Sequence, residues 1–289
     1  MRTGAGFVYV LTSLNSECVK IGGSDFPPLK RIRQINGSAI YKEFGPWTLF
    51  DLRQVNDWKL VEVSLHRVFS EQRARDIAGV DELFRVSPVS VRRELERIDP
   101  ASLIGQVAVD KMFGDGDFAA YLRKLFVFAG LPNWLDIQGA GTLTLYPGTN
   151  GGRYFTINVG THEVAFSTLP FEAGGPSQHC LVVDALILDF VEVVDWVEQR
   201  GGGLEQSPYA SALPRAVSVW FDAPFCDAEL FFQLDGVRRA LIAYWSEALL
   251  LLYQKGSSSM FARFHNHNAV STLCRNLTGS GLYRLAETS

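Results

Sequence analysis

Two short β-prone runs, Phe7-Val8-Tyr9-Val10-Leu11 and Cys18-Val19-Lys20-Ile21, flank a polar, turn-like segment from Thr12 to Glu17. Aromatic and β-branched residues at this density, so close together, commit the start of the chain to a β-hairpin with a long loop. Gly22-Gly23-Ser24-Asp25 then breaks the strand pattern. Pro27-Pro28 opens a short helix over residues 29–35, because proline is tolerated in the first turn. Residues 47–55 read as a third strand. Asn56 or Asp57 can cap a helix over residues 58–70, in which Leu60, Val61, Leu65, Val68 and Phe69 recur at helical spacing. Leu83-Phe84-Arg85-Val86 reads as a further short strand, and Ser87-Pro88 starts a helix ending before Asp99-Pro100.

The remaining two thirds follow a different rhythm. Residues 107–129 read as a helical bridge interrupted at Gly114-Asp115-Gly116-Asp117. Strands are expected at residues 143–146, 154–160, 163–168 and 216–221. The apolar run 180–199, stopped by Gly201-Gly202-Gly203, reads as a long helix, and residues 228–254 as a helix broken near Asp235-Gly236. The expected fold class is α+β throughout. A small N-terminal domain (1–100), with a three-stranded sheet flanked by helices, would precede a helical linker (101–135) and a larger α+β domain (136–289).

Hydrophobic residues make up 47% of the chain and charged residues 20%, a balance that excludes extended disorder. Cys18, Cys180, Cys226 and Cys274 are scattered and form no C-x-x-C pair, so reduced thiols are expected rather than a zinc site. No secretory signal is read at the start, and the apolar stretch 240–253 is interrupted by Ser246 and Glu247, so a cytoplasmic protein without membrane contact is expected. The net charge of −4 hides an asymmetry. Residues 1–100 carry 15 Lys and Arg against 13 Asp and Glu, and the rest carries 12 against 18. Phosphate contacts therefore belong to the N-terminal part.

Within that part, several motifs occur in a telling order: Gly6-Phe7-Val8-Tyr9-Val10, Val19-Lys20-Ile21-Gly22, Arg31 in Pro28-Leu29-Lys30-Arg31, Glu62 with His66 on the helix after the third strand, and Asp81-Glu82-Leu83-Phe84. The series resembles the GIY-YIG nuclease superfamily over residues 6–98, most closely the phage-type branch whose second motif reads K-I-G. Two departures are plain: the first tripeptide is Val8-Tyr9-Val10, and Lys20 stands where other branches have tyrosine. The resemblance implies a metal-dependent endonuclease acting on nucleic acid, double-stranded DNA foremost, in restriction or phage defence. Tyr9 would act as general base or orient the attacking water, with Lys20 lowering its pKa by positive charge. Arg31 would grip the scissile phosphate with its planar fork. Glu62 would hold Mg²⁺ or Mn²⁺, and His66, one helical turn away, would position a water or move a proton. Lys30 and Arg33 would add nucleic-acid contacts. Glu82 is left open between an auxiliary carboxylate near the site, a partner for an arginine and a structural role.

Each residue has a plainer reading. Tyr9 fits strand packing, Lys20 an exposed strand, Arg31 and Arg33 a solvated helix face, and Glu62 with His66 a surface pair. Non-catalytic nucleic-acid binding on the same fold, or a protein-interaction module such as a phage-encoded inhibitor, are the rival functions. Elsewhere, His265-Asn266-His267-Asn268 lacks the ββα context of an HNH site, Gly148–Gly152 with Arg153 reads as a turn, and Asp222, Asp227 and Glu229 read as exposed acids. The Leu249–Tyr253 run reads as core, with a homodimer contact as its alternative. By analogy alone, the C-terminal region would choose the target.

Overall fold

The computed structural model describes residues 4–77, 79–131, 140–146, 152–172 and 174–279. It is α+β, with two antiparallel sheets in two compact units. The first unit runs through Gln106 and takes in His267–Arg275; the second holds Val107–Asn266.

In the first unit, β1 (Gly6–Thr12), β2 (Val19–Ser24), β3 (Thr48–Val55) and β4 (Leu83–Phe84) form a sheet in the order β3-β1-β2-β4. The short strand expected over 83–86 forms as the two-residue β4 and joins the sheet as a fourth strand. Strand alternation splits the buried side chains of β1 between two cores. Phe7, Tyr9 and Leu11 pack with Ile32, Ile35, Trp47, Leu52 and Leu83. Val8 and Val10 pack with Val19, Ile21, Leu65, Phe69, Phe84, Val91 and Leu95. The first core is covered by α1 (Pro28–Gly37) and α2 (Ala39–Lys42), the second by α3 (Trp58–Val68) and α4 (Pro88–Glu96). α1 starts at Pro28 and α4 at Pro88, as the prolines imply. α3 is capped by Asp57, whose carboxylate accepts from the Leu60 N–H at 3.1 Å. Trp58 then lies against the hairpin so closely that a Cβ on Gly23 would come within 2.3 Å of its ring. The break expected at Gly22-Gly23 is corrected: β2 runs on to Ser24, with Gly22 opposite Tyr9 and Gly23 opposite Val8, and the two glycines seat neighbouring side chains.

In the second unit, β5 (Gly141–Leu145), β6 (Arg153–Val159), β7 (His162–Thr168), β8 (Ser177–Asp184), β9 (Gly203–Gln206) and β10 (Ala216–Ala223) form a six-stranded antiparallel sheet in the order β5-β6-β7-β8-β10-β9. Residues 107–131, read above as part of a linker, carry α5 (Gln106–Gly114) and α6 (Gly116–Phe128). In α6, Phe118, Tyr121, Leu122 and Leu125 are all buried in this unit, so the segment is core rather than bridge. The long helix expected over 180–199 is corrected. Residues 177–184 form β8, Ala185–Asp189 a short 3-10 helix, and only Val191–Glu198 an α-helix, α7. Leu181, Val182, Val183 and Asp184 are buried in succession, so the sequence offers no alternation by which to tell strand from buried helix. The glycine run after α7 is not only a stop, because Gly203 opens β9. A short α8 (Phe225–Ala228) and α9 (Val237–Gln254) complete the unit, with the expected break at Gly236, which has φ 84°. Leu249 in α9 is buried, whereas Leu250 and Tyr253 lie on its surface. α10 (His267–Gly279), unforeseen from the sequence, returns to the first unit through His267–Arg275. Among the described residues, no helix is long and apolar enough to cross a membrane.

Candidate active site

Register places the central pair. Tyr9 lies opposite Gly22 and Leu11 opposite Lys20, so Tyr9 and Lys20 are diagonal neighbours on one face of the hairpin. Both are fully buried. The tyrosine ring occupies the space that a side chain at position 22 would fill: an added Cβ there would lie 2.8 Å from the Tyr9 Oη. α1 brings Arg31 to the phenol. Burial pushes Tyr9 up to about 12; the Arg31 hydrogen bond and charge oppose this, and the charge of Glu62 adds to it. This reverses the expected depression of Tyr9 by Lys20: removal from water outweighs the nearby cations. Lys20 itself is the group driven towards neutrality. Burial pulls it down to about 7, with Arg31 contributing and Glu62 opposing.

Glu62 comes from α3, on the far side of the sheet, and the shortness of β4 explains how it can act on this face. The Ile21 N–H donates to the Glu82 carbonyl at 3.0 Å, and there the pairing of β2 with β4 ends. The Ile21 carbonyl has no strand partner; it accepts from His66 Nε2 at 3.0 Å instead. His66 also packs on Phe84, with ring centroids 5.0 Å apart. α3 is thus fastened to the open edge of β2, and half-buried Glu62, one turn before His66, acts electrostatically on both Tyr9 and Lys20. His66 therefore spends Nε2 on the backbone, leaving only Nδ1 for water.

One contributor was left open by the sequence, and another, Tyr41, was missed. Glu82, left open above, is the partner of a lysine: its carboxylate contacts the Lys20 ammonium. Tyr41 of α2 donates to Glu82 Oε2 at 3.3 Å, and its ring centroid lies 4.5 Å from Lys20 Nζ. Nothing in the sequence around Tyr41 marks it, since a four-residue helix carries no readable periodicity. The D-E-L-F motif did point at Glu82. Among the proposed nucleic-acid contacts, Lys30 is exposed with its ammonium 5.3 Å from the Phe26 ring, and Arg33 is exposed. Half-buried Arg31 reaches Gln34 at 3.4 Å.

Residues 6–99 match the T5orf172 domain. This is a phage-associated domain of nuclease context, and the match covers about a third of the chain. No curated protein and no solved structure matches the chain. All the residues gathered around Tyr9 lie within the stretch that matches the T5orf172 domain.

The other candidates disperse. His265 Nδ1 accepts from the Leu143 N–H at 3.0 Å, and His267 packs edge-on to Phe7 at 4.6 Å. Each histidine thus has its own structural role, and they do not converge as a nuclease motif would. Asp222 and Asp227 are exposed, and Glu229 pairs with Lys124 at 2.6 Å. Arg153 pairs with Glu163 and stacks 3.8 Å from the Phe166 ring centroid, while the Gly148–Gly152 turn lies outside the described residues except for Gly152. Among the described residues, no three His, Cys, Asp or Glu side chains gather into a preformed metal cage.

Proposed function

We propose that the T5orf172 domain hydrolyses phosphodiester bonds in nucleic acid, double-stranded DNA foremost, with a divalent cation held at Glu62. The observation that carries this reading is the grouping of a tyrosine, a lysine, an arginine and a carboxylate, supplied by β1, β2, α1 and α3, around one buried phenol. A packing role for Tyr9 does not call for charged groups from three other elements.

The donor set suits a hard cation. Glu62 is a half-buried oxygen donor, and Mg²⁺ needs only one or two carboxylates because water and phosphate complete its shell. When bound, Mg²⁺ or Mn²⁺ would lower the pKa of a water and offset charge on phosphorus. The chain's own residues do the rest. Arg31 binds two phosphate oxygens through its fork. Tyr9, neutral at working pH, orients the attacking water through its hydroxyl rather than as a phenolate. Lys20, pulled below the usual lysine range by burial while the Glu82 carboxylate contacts its ammonium, offsets charge on the pentacovalent phosphorus. His66 keeps α3, and with it Glu62, on the edge of β2.

A second reading, binding without cleavage, is favoured by the complete burial of Tyr9 and by Glu82 already engaging Lys20. One experiment separates the two: plasmid, modified phage DNA and RNA are incubated with the protein in Mg²⁺ and in EDTA, beside Glu62→Ala. Cleavage is expected in Mg²⁺ alone and only with wild type, the variant melting at the wild-type temperature. Full activity in folded Glu62→Ala sinks the assignment. Salt-sensitive binding in EDTA with no product in Mg²⁺ favours the second reading.

A further inference from the structure

We propose that Glu82 and Tyr41 are positioning residues for Lys20, Glu82 as counter-charge to its ammonium and Tyr41 as the ring that confines it. The inference rests on the nuclease reading of the site and adds two residues to it. A lysine side chain is flexible, and an ammonium removed from water is costly unless something pairs with it. Lys20 is fully buried, and the carboxylate of Glu82, 29% exposed, meets it. Tyr41 touches both partners, with its hydroxyl on Glu82 and its ring beneath the ammonium.

Each holder is itself held. Glu82 is fixed by its carbonyl, which accepts from the Ile21 N–H one residue beyond Lys20. Tyr41 is fixed by its carbonyl, which accepts from the Trp47 indole N–H at 2.8 Å. Trp47 is 1% exposed, and its backbone N–H and carbonyl both bond the Asn36 side chain, at 2.7 and 3.0 Å. A chain of part-buried contacts therefore runs from α1 through Trp47 and Tyr41 to Glu82 and ends on the buried lysine. The other charges acting on Lys20 are Arg31 from α1 and Glu62 from α3, and Asp81 acts on Tyr41. Of the two carboxylates acting on Lys20, Glu82 is the one in contact, which leaves Glu62 for a cation. A surface ion pair would not need a tryptophan-anchored ring at its back.

The test uses the full chain labelled with ¹⁵N-lysine, the Lys20 ammonium signal being assigned by its loss in Lys20→Arg. Glu82→Gln keeps the shape and removes the charge, and Tyr41→Phe keeps the ring and removes the hydroxyl. The Lys20 signal, protected from solvent exchange in wild type, is expected to move or vanish in Glu82→Gln and to move less in Tyr41→Phe. In single-turnover cleavage Glu82→Gln is expected to lose about a hundredfold, the scale of a misplaced catalytic group. Its DNA affinity should be unchanged, and Lys20→Met/Glu82→Gln should be no slower than Lys20→Met alone. An unmoved Lys20 signal in Glu82→Gln overturns the proposal, as does a further loss of rate in the double variant. A wild-type chain that cuts no nucleic acid refutes the nuclease reading instead, and the spectroscopic arm then decides by itself whether Glu82 and Tyr41 hold the lysine.

Discussion

The two units bury ionisable groups in different proportions of charged and neutral partners. In the first, the buried groups include charged side chains held against other charges: Lys20 by Glu82, and Asp51 by Arg53 and Arg92. In the second, one buried carboxylate, Asp184, pairs with Arg215 at 2.8 Å, and two buried histidines are closed off by neutral partners. His162 sits between the Ser211 and Tyr244 hydroxyls, each at 2.9 Å. His179 sits between the Ser167 hydroxyl at 2.8 Å and the Ala223 carbonyl at 2.9 Å. Neutral hydrogen bonds satisfy a core at small cost. Buried charges are hard to justify by stability, since apolar side chains of similar volume often do as well or better. That the first unit keeps them, on both sides of the strand bearing Tyr9, is a reason to look for chemistry there.

The sharpest way to break the contrast is to remove a charge from the first unit. Asp51 on β3 accepts from Arg53 at 2.6 Å, Arg92 at 3.0 Å and the Ser271 hydroxyl of α10 at 2.7 Å. Asn268 of the same helix takes the Gln54 N–H at 2.8 Å and donates to the Ile104 carbonyl at 2.6 Å. Asp51→Ala strands the buried Arg53 guanidinium and is expected to cost about 3–5 kcal/mol of unfolding free energy, the scale for breaking a buried pair. Ser271→Ala removes one neutral partner and should cost only about 1 kcal/mol. Chemical denaturation measures both, and a small loss in Asp51→Ala would show that the charges are not buried in the sense argued.

Acid should act on the other unit. Burial holds His179 down to about 4, with the Ala223 carbonyl opposing, and burial alone lowers His265 to about 4. For Asp51, burial would raise the carboxyl, but Arg53, Ser271 and the Leu52 N–H outweigh it and hold it below its usual 3.8. The signs follow. A histidine depressed in the fold binds a proton in the unfolded chain first, so its stabilising effect is present above pH 6.5 and drains away as pH falls towards 4. For His179 this amounts to roughly 3 kcal/mol. Asp51 loses its contribution only below pH 3.8. Hydrogen exchange followed by mass spectrometry between pH 7 and 4.5 should show β7 and β8 losing protection while β1 and β3 keep theirs, and His179→Gln should flatten the response. Parallel loss in both sheets would remove the distinction.

The face bearing Tyr9 can be disturbed without touching a charge. Gly22→Ala would place a methyl 2.8 Å from the Tyr9 hydroxyl and 2.9 Å from Cζ, so the ring must move. Cleavage should fall about a hundredfold, the scale of an ångström's misplacement, with DNA binding retained. Gly37→Ala, where an added Cβ meets nothing within 4 Å, is the control and should leave the rate alone. Equal rates in the two variants would mean that the position of Tyr9 does not matter.

What the sequence disclosed follows the range of the forces involved. The hairpin, the proline-started helices, the Asp57 cap and the break at Gly236 are set by residues within a few positions of one another, and all were legible. β8 was not, because burial along successive residues erased the period that separates strand from helix. α10 was not, because its role on β3 rests on bonds spanning more than 200 residues, Arg53 to Ser271 and Gln54 to Asn268. At the site, motif order pointed to Tyr9, Lys20, Arg31 and Glu62, and the structure places these within electrostatic reach of one another. It could not give the direction in which Tyr9 shifts, since that depends on burial, nor Tyr41, which matters only through where the chain returns.

The gentlest test reaches the site through a cap. Asp57 accepts from the Leu60 N–H at the start of α3, five residues before Glu62, and Trp58 beside it is seated over Gly6 and Gly23. Asp57→Ala removes the cap and should cost about 1 kcal/mol of stability. If α3 does no more than pack, that is the whole effect. If α3 carries the cation-holding carboxylate, fraying its first turn should also raise the Mg²⁺ concentration needed for half-maximal cleavage, while Asp115→Ala, which uncaps α6 in the second unit by losing the bond to the Phe118 N–H at 3.0 Å, should lower stability by a similar amount and leave the Mg²⁺ requirement unchanged. A matching Mg²⁺ response in the two variants would sever the link between α3 and the cation.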